Sequence, residues 1–284
     1  MNQIGRAKFA PTEVLLLKIF ISADIEGITT TTTFDECGYG HALYPLHAKQ
    51  MTEEVLAAIS GAKSAGATQI VVRDAHDTAR NIDPTLMPSG VTLLRNWSAH
   101  PYMMVAGIDK SFDAAMFVGY HSAAGRLGNP MAHTLDGGAV HTLRINGELA
   151  SEFLLYSYAC ALEGVPTVFL SGDKMLCDDS KNMHPCLVTC HVKEGFGAMT
   201  ANYPTVDTLK NIKELSEKAL KQDLKAALLK LPDHFSAELH FKKHQQADRA
   251  SWFPGVTRIS DHVVTYSSED FMEILRTTSW ILSF

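Results

Sequence analysis

The chain has no run of basic residues, no apolar stretch long enough to cross a bilayer, no paired Cys-x-x-Cys, no glycine-rich phosphate loop and no cluster of arginines. Each absence removes a class of function. With 25 basic against 31 acidic residues and a net charge of −6, there is no electrostatic footprint for nucleic acid or an anionic membrane. The short apolar piece Val14-Leu15-Leu16-Leu17 follows Pro11 and Glu13, lacks a small-residue cleavage site and merges into a strand pattern. It reads as neither signal peptide nor membrane span. Five cysteines, an odd number without an export signal, point to reduced thiols and a cytoplasmic setting. Cys177, Cys186 and Cys190 with His184 and His191 lack the spacing of a structural zinc knuckle and read as strand and loop residues. The missing phosphate loop and arginine cluster weigh against phosphate chemistry.

What is present is enough apolar material for a sizeable core, 46% of 284 residues, in one large domain or two modest ones. Continuous β-branched runs separated by helical stretches, such as Lys18–Ala23, Gln69–Val72, Ala115–Tyr120 and Thr167–Gly172, suggest strands buried on both faces. A helical spacing from about Leu46 to Ala65, stopped by Gly66, joins the first two as a βαβ unit. The predicted fold is α/β: a mainly parallel sheet with flanking helices in a catalytic domain, plus a smaller C-terminal α+β region. The expected division is a disordered lead-in at residues 1–17, a domain over 18–200, and a smaller region over 201–284. Within the latter, an amphipathic helix is expected over Thr208–Leu231, then strands at Phe235–Phe241 and Val263–Tyr266 and a final helix from Ser268.

The apolar runs end in side chains that bind metals. The first runs into Asp24 and Glu26, the second into Asp74 and His76, and the third into His121. In open α/β sheets ligands gather at the carboxyl ends of the strands, so these residues are expected to meet in space. Carboxylates and imidazoles together suit divalent cations, zinc in particular. Glu152 is a further candidate acid, in the first turn of a helix expected from about Ala150 to Leu162, after a hairpin at Asn146-Gly147. Two adjacent metals sharing a water would support hydrolysis. An acid at a strand end is also a common turn or helix cap, and a lone histidine a common structural residue, so spacing alone leaves both readings open. Asp74 reads as an acid that orients His76, because ligating imidazoles usually donate their other N–H to such a group. His41 and His47, flanking the loop that carries the Thr29–Thr33 run, are the reserve donors.

The motifs Ser22-Ala23-Asp24-Ile25-Glu26-Gly27-Ile28, Met51-Thr52-Glu53-Glu54, Asp74-Ala75-His76, Gly119-Tyr120-His121, Met131-Ala132-His133-Thr134 and Glu152 come in an order and spacing that resemble the D-aminopeptidase family of dipeptide-operon zinc metallopeptidases. The resemblance runs from Lys18 to the C-terminus and is strongest up to Asp173. It implies two zinc ions per subunit, with Asp24 bridging them, Glu26, His76, His121 and Glu152 as the other ligands, and His133 as the catalytic residue. It also implies an α/β catalytic domain and a smaller C-terminal region that helps build a ring-shaped homodecamer. The expected function is a cytoplasmic zinc-dependent aminopeptidase that removes the N-terminal residue, plausibly a D-amino acid, from short peptides. The alternatives are another dinuclear metallohydrolase, an amidase or phosphoesterase, or a non-catalytic peptide-binding protein. The loops after Gly27 and His121 depart from the family pattern and would border the substrate.

Overall fold

A computed structural model describes residues 17–283. The expected lead-in lies outside the described residues except for Leu17, which opens the first strand. In chain order the first elements are β1 (Leu17–Ala23), α1 (Tyr44–Ser64), β2 (Ala67–Asp74), β3 (Val91–Leu94) and β4 (Ala114–Tyr120). A hairpin of β5 (Val140–Ile145) and β6 (Glu148–Leu149) leads into α2 (Glu152–Leu162), β7 (Thr167–Asp173) and α3 (Lys174–Met183). Then come β8 (Val188–Phe196), β9 (Met199–Asn202) and α4 (Thr205–Leu220). The chain closes with β10 (Phe235–Phe241), α5 (His244–Ala250), β11 (Thr257–Arg258), β12 (Val263–Ser268) and α6 (Phe271–Leu282).

Seven strands form one sheet in the order β3-β2-β1-β4-β7-β8-β9, parallel throughout except for the antiparallel β9 at its edge. Strands β4 and β7 are buried along their whole length, as a sheet covered by helices on both faces requires. Helix α1, started by Pro45 and ended before Gly66, covers one face together with α4, while α2 packs on the other. The chain first extends the sheet from β1 through β2 to β3, then returns to β4 on the opposite side of β1. That reversal places a topological switch point between β1 and β4, where the carboxyl-end loops diverge and leave a crevice.

A second, antiparallel sheet has the order β11-β12-β10-β5-β6. It draws strands from both sides of residue 200, because β5 pairs with β10 in register from Ala237 opposite Ile145 to Phe241 opposite Val140. Conversely, α4 lies on α1 and on the large sheet. The helix expected to run to Leu231 stops at Leu220. Asp223 Oδ1 accepts from the backbone N–H groups of Lys225 and Ala226, which starts a separate turn that competes with helix continuation.

Two glycines let the loop after β1 cross the end of β4. The N–H of Gly27 donates to the carbonyl of Gly119 at 2.8 Å, and a Cβ built on Gly27 would sit 1.7 Å from the Tyr120 carbonyl oxygen. Gly119 has φ +74°, and its Cβ would sit 2.2 Å from the Asp24 carbonyl oxygen. Gly119→Ala therefore meets both a left-handed backbone and a backbone clash, with an expected loss of about 2–4 kcal/mol of stability. Chemical denaturation of the variant beside the parent checks this, and an unchanged midpoint would contradict the close crossing.

Candidate metal centre

The crevice at the switch point holds all six residues singled out in the sequence. Asp24 and Glu26 come from the turn leaving β1, His76 follows β2, and His121 follows β4. His133 lies on the loop before β5, and Glu152 opens α2. The donors form two groups, Asp24 with Glu26 and His76, and His121 with His133 and Glu152, each with one ligand atom per residue lying within 4.8 Å of the others. His76 Nδ1 is 2.9 Å from Glu26 Oε2 and 3.3 Å from Asp24 Oδ1. His121 Nε2 is 3.5 Å from Asp24 Oδ2 and 3.3 Å from Glu152 Oε2. Asp24 thus turns one oxygen to each group.

Each imidazole has one nitrogen occupied by a backbone carbonyl and the other left for the cluster. His76 Nε2 lies 3.1 Å from the Cys37 carbonyl, His121 Nδ1 3.0 Å from that of Ser122, and His133 Nδ1 2.9 Å from that of Met131. A carbonyl can only accept, so in each ring that nitrogen carries a proton, and once the ring is neutral the opposite nitrogen is the one that offers a lone pair to a metal. This fixes all three tautomers for metal ligation. The expected partner of His76, Asp74, has another task. Its carboxylate accepts from the Asn81 and Ile82 backbone N–H groups and from Asn81 Nδ2, which also donates to the His76 carbonyl. Asp74 shapes the loop that carries His76 rather than the ring itself.

Electrostatics favour a cation here. Asp24 Oδ2, Glu26 Oε2 and His121 Nε2 are buried and, close as the carboxylates and imidazoles lie, make no well-aligned hydrogen bond among the described residues. Burial, followed by the Glu26 charge, pushes the Asp24 carboxyl up to about 8. Burial opposes the imidazolium of His121, yet Glu152 and then Asp24 and Glu26 hold it up to about 10. Glu26 is held well below the usual carboxylate range, against its burial, chiefly by His76. Three carboxylates and three imidazoles packed this closely must either share protons or surrender them to divalent cations, and the orphaned lone pairs fit the second. The mixed oxygen and nitrogen donors suit zinc.

Further residues, which sequence reasoning missed, hold this arrangement. Lys193, on β8 and fully buried, donates from Nζ to the Glu26 carbonyl, to the Thr31 carbonyl at 2.7 Å and to Thr31 Oγ1 at 2.9 Å. Burial pushes its ammonium down to about 8, while the nearby Asp173, Cys37, Glu54 and Glu26 resist the shift. Asn129 Nδ2 donates to the same Glu26 carbonyl at 3.0 Å. The threonine run is part of this scaffold, since Thr31 Oγ1 donates to the Ile25 carbonyl and the Thr29 N–H to Glu54 Oε1. Phe34 packs edge-on against His133, with ring centroids 5.7 Å apart, and His133 stacks on His121 at 4.3 Å. The reserve donors His41 and His47 lie near Asp35 and Glu36 instead, outside both groups. The cysteine and histidine residues of the 177–191 segment form no donor cluster among the described residues.

A mostly parallel sheet with buried carboxylate and imidazole donors at its switch point is the framework of a metal-dependent hydrolase. Comparison with known proteins narrows the class: the chain belongs to the peptidase family M55, described as D-aminopeptidase, whose profile matches residues 17–280. It is 28% identical over 264 residues to the D-aminopeptidase of Bacillus subtilis strain 168, covering 90% of this chain and 93% of that protein. Its fold is similar to that of the Zn-dependent D-aminopeptidase DppA from Bacillus subtilis, described as a self-compartmentalizing protease. That match has a TM-score of 0.87 and 25% identity, over 93% of this chain and 96% of that one.

Lys193→Met keeps the length of the side chain but removes the donors that fix the Glu26 backbone. Loss of such an outer partner is expected to weaken zinc retention about 10- to 100-fold. Competition against a chromophoric chelator measures this, and Lys193→Arg, which restores a cation, should recover part of the loss. Parent-like zinc affinity in Lys193→Met would remove Lys193 from the support of the site.

Proposed function

We propose that this protein is a zinc-dependent D-aminopeptidase that hydrolyses the N-terminal residue from short peptides. The observation that carries this reading is the pair of buried donor groups joined by Asp24, with lone pairs left without partners, in a chain of the D-aminopeptidase family. Asp24 would be held in common by two zinc ions, with Glu26 and His76 completing one side and His121 and Glu152 the other. Bound zinc supplies Lewis acidity that polarises the scissile carbonyl and eases the deprotonation of water.

The remaining work falls to side chains of the chain itself. His133 Nε2 bears the free lone pair, since Nδ1 faces the Met131 carbonyl, and it lies 3.7 Å from Glu152 Oε1. It is only partly buried at the cavity wall, which lets it take a proton from the attacking water and return it to the leaving amine. Stacking on His121 and the edge contact from Phe34 limit the ring's rotation. The Leu135 N–H donates to Glu152 Oε1 at 2.7 Å, which orients that carboxylate while Ser151 caps the helix behind it. A cavity of about 300 Å³ opens onto these groups, a volume that suits a small peptide.

The protein is read as a homo-oligomer, a homodecamer by family resemblance, with the 201–284 region taking part in assembly. Exposed Trp252 and Ile259 in that region, and the self-compartmentalizing description of the DppA relative, support this. The cytoplasmic assignment is supported by five free thiols. No helix of the described residues is long and apolar enough to cross a membrane.

Matched D- and L-aminoacyl amides and dipeptides, assayed before and after chelation and again with zinc restored, test the activity. Turnover of the D-series should vanish on chelation and return with zinc; no cleavage of any peptide by the zinc-loaded protein would refute the reading. In His133→Ala, turnover is expected to fall by about 100-fold or more while two zinc ions per subunit remain, as counted by metal analysis. Unchanged turnover would remove the proton shuttle. Light scattering reads assembly directly: a monomer would refute the homo-oligomer, and any ring of another size the decamer.

A further inference from the structure

Beside the donor cavity lies a second one of about 320 Å³, lined by Trp97, His100, Pro101, Met103, Ser279 and Trp280 among others. Trp97 and Met103 line both, so the two cavities meet at a shared wall. The first is rimmed by acids and imidazoles, whereas the second is mainly apolar and aromatic. Its wall is held in place: the Trp97 indole N–H donates to the Asp77 carbonyl at 2.6 Å, and the Arg73 guanidinium stacks 4.6 Å from the indole centre. Ser279 Oγ donates to the Met103 sulfur at 3.4 Å, tying the wall to α6.

The backbone in and beside the two cavities includes several left-handed residues: Ala99 and Met103 line the second cavity, Asp77, Met103 and Leu135 the first, and Asn96 precedes Trp97. Asp77, Asn96, Ala99, Met103 and Leu135 are left-handed, with φ of +43°, +69°, +58°, +35° and +63°, and none is glycine. For Ala99, Met103 and Leu135 this conformation costs about 1–2 kcal/mol each, and such conformations gather at ligand clamps. Met103 and Leu135, both bulky, line the donor cavity itself.

We infer that this second cavity is the subsite for the side chain of the peptide's N-terminal residue, and that it takes a large apolar or aromatic side chain. The inference rests on the aminopeptidase reading above. The proton shuttle must face the leaving amine, which puts the leaving part of the substrate on the side of His121 and His133. The N-terminal residue then lies toward His76, Asp77 and Trp97, and its side chain, one carbon from the attacked carbonyl, reaches the wall that Trp97 and Met103 share. An aromatic ring there stacks on the indole and displaces water from an apolar surface.

The test is kcat/KM of the zinc-loaded protein on phenylalanine amide and alanine amide, in whichever hand the chirality assay selects. The phenylalanine amide is expected to be favoured by about tenfold or more, the scale on which an apolar pocket discriminates. Trp97→Ala and, independently, Met103→Asp should each bring the ratio toward unity, with free phenylalanine losing its advantage over alanine as an inhibitor. A wild-type preference for alanine amide, or a ratio that neither variant moves, overturns the subsite while leaving the aminopeptidase intact. A Trp97→Ala protein whose oligomeric state changes while its ratio does not would assign the cavity to a second copy of the chain, and also overturns it. Where neither amide is cleaved, the same ratio is read on the phenylalanine and alanine dipeptides; cleavage of none of these by the wild type fails the aminopeptidase reading, and the subsite falls with it.

Discussion

Everything at the centre of this molecule follows from placing three carboxylates and three imidazoles in one buried crevice. Such a set cannot stay fully charged or fully solvated, so the fold around it must supply either protons or cations. The surrounding structure is organised to keep lone pairs free. Backbone carbonyls occupy the outer nitrogen of each ring, a lysine and an asparagine hold the Glu26 carbonyl, and a helix N-cap orients Glu152. The sheet contributes rigidity, and the switch point contributes the space.

Much of this was legible in the sequence because chemistry-bearing residues sit directly after continuous apolar runs. A run such as Ala115–Tyr120 fixes a buried strand, and the next residue, His121, is then bound to lie at its carboxyl edge. Glu152 was harder to see, since its position depends on a hairpin and a helix start rather than on a strand. Lys193 left almost no signal. In Cys190-His191-Val192-Lys193-Glu194 it has the alternation of a solvated strand face, and only the folding of the Thr29–Thr33 loop over β8 buries it.

Long-range pairing was similarly hidden. Strand β5 joins β10 about 90 positions away, as the Ser236 N–H donating to Asn146 Oδ1 illustrates, and no local pattern encodes that partnership. The left-handed conformations of Met103 and Leu135 were invisible for a related reason. Sequence marks positive φ through glycine and asparagine, whereas Met103 and Leu135 adopt it because their surroundings over-determine the backbone.

The Lys193 contact also bears on the order in which the molecule is made. Asp24, Glu26 and His76 leave the ribosome early, yet the ammonium that secures the Glu26 backbone follows 167 residues later. Until β8 joins the sheet, the first three donors belong to a βαβ segment whose loop lacks the Lys193 contacts to the Glu26 and Thr31 carbonyls. The final geometry is reached only when the sheet is nearly complete. The metal centre is thus tied to the completeness of the sheet, and not to the first βαβ unit alone.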